Sequence, residues 1–339
     1  MMVRFLRKAG PSPVSSTTGD ATPSVGSGRS VASHPLATVG VMRGAGLTKD
    51  RGEVAACLSA YRFGVGDPTT QLGNGEFWRA SFTPDGPATM RITYGSELLD
   101  ADAWGPGREW MLQQVEAMTG ALDPGFEFVD AHPAVLRAQR NHPGVRFGAS
   151  RMLFHELVPT ILAQRITAGE AIRQWHRLCR RLGQAAPGPR RDLLLPPSPQ
   201  ALLGHPAWWF HPLGVESKRA EALRAVGRHA DKLWGWSRLP VDEAAAKLAL
   251  LPGTGQWTIG SVLGSAMGDP DAVAVGDFHL KNVVSFALAG EPRGTDARML
   301  ELLAPYAGQR GRVVRLLLAD GHRAPSFGPR KRILPMARW

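Results

Sequence analysis

At 339 residues, with 43% hydrophobic side chains, the chain is long enough to bury a sizeable core and to divide into two domains and a tail. A formal charge of +11 points to a polyanionic partner, although an Arg-rich solvated surface produces the same excess. Only Cys57 and Cys179 are present, which excludes a four-cysteine iron–sulfur cluster or zinc site, offers no disulfide framework and suits a reducing cytoplasm.

Residues 1–49 are rich in Ser, Thr, Gly, Pro and Val and read as a disordered tail, with Met42 able to open a shorter product. The N-terminus has a basic start but no apolar core, so no secretory signal is expected. No apolar run approaches the ~18 residues of a membrane span. Val54 to Phe63 alternates loosely and Gly64 to Pro68 is a turn. Phe77–Phe82 and Thr89–Tyr94 read as strands around a Thr83-Pro84-Asp85-Gly86-Pro87 hairpin loop. Trp104 to Met118 has helical spacing, with Trp104, Met111, Val115 and Met118 on one face. The outcome is a small α+β domain over 51–125, in which Trp78, Trp104 and Trp110 are core candidates.

After Pro124 the strand pattern stops. Helices are predicted over 133–140, 154–162, 168–182, 218–232, 241–250, 258–267, 278–288, 296–303 and 310–318, with Ser198-Pro199 starting a short one. The expectation is an all-α domain over 130–322 and a basic tail over 323–339.

The informative stretch is Leu250 to Leu280. Pro252 cannot continue the preceding helix, and Gly253 and Gly255 permit φ > 0 and close backbone approach. The N–H groups of Gly253, Thr254 and Gly255 then lie at the start of the next helix, a place that favours an anion such as a phosphate. Helix, glycine turn and helix make a helix–hairpin–helix, and Asp277 follows in Val275-Gly276-Asp277.

With that aspartate, the chain resembles the helix–hairpin–helix DNA glycosylases, and within them the 3-methyladenine DNA glycosylase II family. The resemblance covers about 150–320, through Ile161-Leu162-Ala163-Gln164, Leu213-Gly214, Lys218 to Leu223, the hairpin and Asp277. The 51–125 segment resembles that family's N-terminal domain more faintly. It implies an α+β N-terminal domain followed by an all-α helix–hairpin–helix glycosylase domain. It also implies a monomer acting on damaged double-stranded DNA, with no cofactor and room for a monovalent cation at the hairpin.

By the same resemblance Asp277 is the catalytic carboxylate, set against the positive charge that grows on a sugar as its glycosidic bond breaks. Asp277 is equally well placed to cap the helix after it. Glycosylases with lyase activity carry Lys where this chain has Trp257, so a monofunctional enzyme using water is expected. Trp257 and Ser261 fall in the implied base pocket, where Ser261 replaces a bulky aromatic; Trp257 is also a candidate for packing the hairpin helices. Gln164 and Arg165 are candidates to enter the duplex beside a flipped base, with the inserting residue left open. Lys218, Arg219, Arg310 and Arg312 are candidate phosphate contacts. Two rivals remain: a DNA-binding hairpin protein without chemistry, and a glycosylase for another lesion.

Overall fold

The computed structural model describes residues 40–45, 51–95 and 99–325. A five-stranded antiparallel sheet comes first, in the order β1-β5-β4-β3-β2. Its strands are β1 (Gly40–Ala45), β2 (Thr70–Gly73), β3 (Glu76–Thr83), β4 (Gly86–Thr93) and β5 (Leu99–Trp104). The β3–β4 hairpin is as expected: Thr83 pairs with Gly86 around Pro84-Asp85, and the Thr83 hydroxyl donates to Gly86 O at 2.8 Å. Strand alternation sends Phe77, Met90, Ile92 and Ala101 to one face, where α1 (Arg51–Ser59) and α2 (Arg108–Gln113) cover them.

Three expectations change here. β1 lies inside the 1–49 stretch read as a disordered tail, with Met42 paired to Ala101; residues 1–39 lie outside the described residues. The loosely alternating 54–63 segment is mostly helix. Trp104, read as a helix residue, ends β5 and stacks on Trp78 at 5.5 Å, under the cover of Leu193 and Leu195. Its apolar spacing toward Met111 came from two different elements, α2 and the strand before it. α3 (Val115–Met118) closes this region.

The helices follow as α4 (Pro133–Asn141), α5 (Leu153–Leu162), α6 (Ala168–Leu182), α7 (Pro199–Leu203), α8 (Ser217–Arg228) and α9 (Ala230–Trp236). After them come α10 (Val241–Ala249), α11 (Gln256–Val262), α12 (Leu280–Ala289), α13 (Asp296–Leu303) and α14 (Arg310–Ala319). Three start at a hydroxyl cap: the Thr167, Ser198 and Thr295 hydroxyls accept from the N–H of Glu170, Ala201 and Arg298. The helix predicted over 218–232 divides at His229. α11 continues as a π-helical turn, Leu263–Met267, where Ser150 N and Arg151 N donate to Ser265 O and Ala266 O. The expected basic tail lies outside the described residues beyond Pro325.

Two cores divide the helices. One joins α5, α6, α8, α10 and α11; the other joins α4, α12, α13 and α14. Buried polar contacts tie the N-terminal region to both. Arg79 of β3 meets Glu156 of α5 at 2.6 Å, and the same carboxylate accepts from Ser150 and Ser265. His155 bridges the Thr69 and Ser81 hydroxyls; burial and Arg79 hold its pKa well below the usual value, so it stays neutral. Asp123 takes two hydrogen bonds from Arg312, at 2.8 and 2.9 Å. This framework holds α5 and α14 against the element that carries the site.

Candidate active site

α10 and α11 meet through Leu250–Gly255, and the two glycines of this turn serve different ends. Gly253 has φ +84°, and a Cβ on it would lie 2.5 Å from the Ala222 Cβ of α8. The fold itself demands glycine there. Gly255 has φ −95° and ψ −179°, ordinary extended backbone, and a Cβ on it would meet nothing within 4 Å. Nothing described in this chain requires glycine at 255. The N–H groups of Gly255, Gln256 and Trp257 find no acceptor among the described residues. They open a helical run that continues through Met267.

Thr254, expected at the nucleic-acid surface, turns inward instead. It is 7% exposed, its N–H donates to Leu251 O, and its hydroxyl donates to the Leu248 and Leu251 carbonyls at the end of α10. A buried hydroxyl needs a partner, and the unsatisfied carbonyls of a helix end supply it. Its side chain seals the turn and does not reach outward.

The two candidates after α5 separate. Gln164 donates its amide to Gly253 O at 2.8 Å and to the Thr258 hydroxyl at 2.9 Å, stitching α5 to the hairpin. Arg165 is exposed and held on a left-handed backbone, φ +58°. Lys218 is exposed on the first turn of α8. Arg219 is not available to a phosphate: it is 3% exposed, and its guanidinium donates to Leu162 O at 2.7 Å, Gln174 Oε1 at 2.8 Å and Gly214 O at 3.3 Å. It ties the end of α5 to the segment before α8, so it supports the Gln164–Arg165 turn from beneath. Arg310 is paired with Asp271, and Arg312 is 2% exposed on Asp123 and Val145 O. A run of basic letters carries no information about which way each guanidinium points.

Asp277 sits just ahead of α12, half-buried. Its Oδ1 accepts from His279 N at 2.8 Å and Leu280 N at 3.0 Å, and its Oδ2 faces the Trp257 indole N–H at 3.3 Å. It therefore caps α12 and still presents a carboxylate beside the hairpin helix. Burial pushes the carboxyl up, while these backbone and indole donors pull it down. Gly276, at φ +92°, turns the chain into the site, and its N–H donates to Asp296, which also meets Lys281 at 3.6 Å.

Trp257 packs on the second helical core and not between the two hairpin helices. Its ring packs beside Val273 and Val275 on the second helical core, and its edge meets Asp277. Ser261 lies one turn further along α11, half-buried, with its hydroxyl returned to Trp257 O at 2.7 Å. Sequence reasoning missed Phe278, 75% exposed directly after Asp277 with its ring edge-on to His279, and the Asp296–Lys281 pair behind the turn. The first is adjacent to the aspartate in the chain and was readable there; the second is a tertiary contact. Asp269 and Asp271 serve their own loop: Asp269 accepts from Asp271 N, and Asp271 holds Arg310. A cleft of about 390 Å³ lined by Arg62, Asp67, Gln71 and Arg180 contains none of these residues.

No family model matches the chain, and no curated protein sequence matches it. Solved structures do. A 3-methyladenine DNA glycosylase from Archaeoglobus fulgidus superposes with a TM-score of 0.64 at 17% identity, covering 83% of this chain and 97% of the other. A Clostridium acetobutylicum 8-oxoguanine glycosylase/lyase, bound to double-stranded DNA with cytosine opposite 8-oxoguanine, superposes with a TM-score of 0.58 at 14% identity, covering 80% and 91%. The chain has the fold of these DNA glycosylases. The two relatives act on different bases, so the likeness does not select one.

Proposed function

We propose that this protein is a monofunctional DNA glycosylase that flips out and excises alkylated purines of the 3-methyladenine type from duplex DNA. The observation that carries the reading is the Asp277 carboxylate, held at the start of α12 and turned toward the helix of the hairpin. An N-glycosidic bond breaks with positive charge developing on the deoxyribose. A carboxylate about 4 Å from that charge, at an effective dielectric of roughly 20, stabilises it by about 4 kcal/mol. That corresponds to about three powers of ten in rate. The same carboxylate orients or deprotonates the attacking water. A base that is already cationic leaves without an acid, and Trp257 offers it an aromatic face.

The hairpin supplies the grip. The open backbone at Gly255, with the first N–H groups of α11, suits a phosphate oxygen, and Lys218 adds charge. Arg165 is the inserting residue in this reading, because Gln164 is already bonded to the turn. The turn carbonyls of Leu251 and Gly253 already accept from Thr254 and Gln164, and no step is routed through a bound cation.

Asp277→Asn tests the reading. The variant is expected to bind a duplex with an abasic-site analogue as the wild type does, and to release no base from methylated DNA in single turnovers. Wild-type release would sink the mechanism; binding without release by the wild type itself would leave a DNA-gripping protein. Ser261, in place of a bulky aromatic, favours a second reading, a glycosylase for oxidised or deaminated bases. Mass spectrometry of the bases released decides between the two.

A further inference from the structure

Trp257 stands in the base pocket of the proposed function because of its ring face, yet the structure gives its edge a separate task. Asp277 Oδ1 is pinned by two amides of its own chain segment, His279 N and Leu280 N. The indole N–H of Trp257 meets Oδ2 at 3.3 Å from another helix. Trp257 is the second residue of α11, so its position is set by the same turn whose Gly253 is locked against Ala222 and whose carbonyl is held by Gln164.

We infer that Trp257 is a positioning residue for the proposed excision: its indole N–H fixes the plane of the Asp277 carboxylate against the sugar while its ring stacks on the flipped base. The inference rests on the reading of Asp277 given above. One side chain then sets the distance between leaving base and stabilising charge. Seating the hairpin on the backbone also seats the carboxylate, because α11 carries both. The fixed geometry matters more than the added donor: a hydrogen bond to Oδ2 draws off some negative charge, and the compensation is a carboxylate that does not reorient as the sugar becomes cationic.

Trp257→Phe removes the N–H and keeps an aromatic face; Trp257→Leu removes both. With methylated duplex DNA as the probe, Trp257→Phe is expected to lower kcat roughly tenfold to a hundredfold, the loss of one charge-assisted hydrogen bond, with KM within about twofold of wild type. Trp257→Leu is expected to lower kcat similarly and to raise KM as well. A purely structural role for Trp257 predicts no such split. Unchanged kcat in Trp257→Phe, or a KM raised as far as kcat is lowered, overturns the inference and leaves the reading of Asp277 standing. Wild-type excision by Asp277→Asn overturns both.

Discussion

The two hairpin glycines should separate fold from function in a single pair of variants. At Gly253, alanine has to occupy a left-handed backbone, φ +84°, which costs about 1–2 kcal/mol. Its Cβ would also stand 2.5 Å from the Ala222 Cβ, an overpacking that costs about 1–3 kcal/mol. Gly253→Ala is therefore expected to lose roughly 2–5 kcal/mol of stability, with DNA binding lost in proportion as the turn shifts. At Gly255 neither penalty applies, since φ is −95° and the space around a Cβ is open. Alanine is a poorer N-cap than glycine by about 1 kcal/mol. Reduced freedom of the unfolded chain returns about 0.4–1 kcal/mol, so Gly255→Ala should stay within about 1 kcal/mol of wild type. A methyl wedged between this backbone and a phosphate costs about 1–3 kcal/mol of binding, roughly fivefold to 150-fold in Kd. Denaturant unfolding measures the first quantity and fluorescence-anisotropy titration of an abasic-analogue duplex the second. Wild-type affinity in a stable Gly255→Ala protein would refute the claim that the turn packs against the DNA backbone.

The basic residues divide in the same way. Arg219→Met leaves the Leu162 carbonyl and the Gln174 side-chain oxygen without the Arg219 donor and is expected to cost about 3 kcal/mol in denaturant unfolding, with little change in the salt slope of DNA binding. Lys218→Gln should leave stability alone and reduce the slope of log K against log salt by about one. Acid stability should depend on Asp123, where burial pushes the carboxyl up but Phe147 N and Arg312 hold its pKa below the usual value. A depressed folded-state pKa contributes stability that is full above the unfolded value and fades as pH falls through the folded one. Asp123→Asn should thus lower stability at neutral pH and flatten its decline below about pH 4, the unfolded aspartate value, in pH-dependent unfolding. An unaltered acid limb would remove Asp123 from the account.

Local chemistry was readable from the letters alone. Pro84-Asp85-Gly86 announced the hairpin, Ser198-Pro199 announced a helix start, and Pro252-Gly253 announced the turn between α10 and α11. Each of these depends on backbone constraints and hydrogen bonds made within a few residues, which sequence encodes directly. β1 was missed because a strand's partner, here β5, is a long-range choice, and the composition of 1–49 is that of an unstructured segment. Trp104 was misplaced because one apolar spacing ran across a strand end and a helix start. Burial decided the rest. Arg219, Arg312 and Thr254 read as surface letters until packing turned them inward to unsatisfied carbonyls and a buried carboxylate. Tertiary structure alone also assigned the two glycines, separated Gln164 from Arg165, and brought the edge of Trp257 to Asp277. The sequence thus determined a glycine turn between two helices and an aspartate beyond the second of them. Only packing, which sets where each side chain must find its partner, brought that aspartate to the helix after the turn and decided which neighbours hold the two in place.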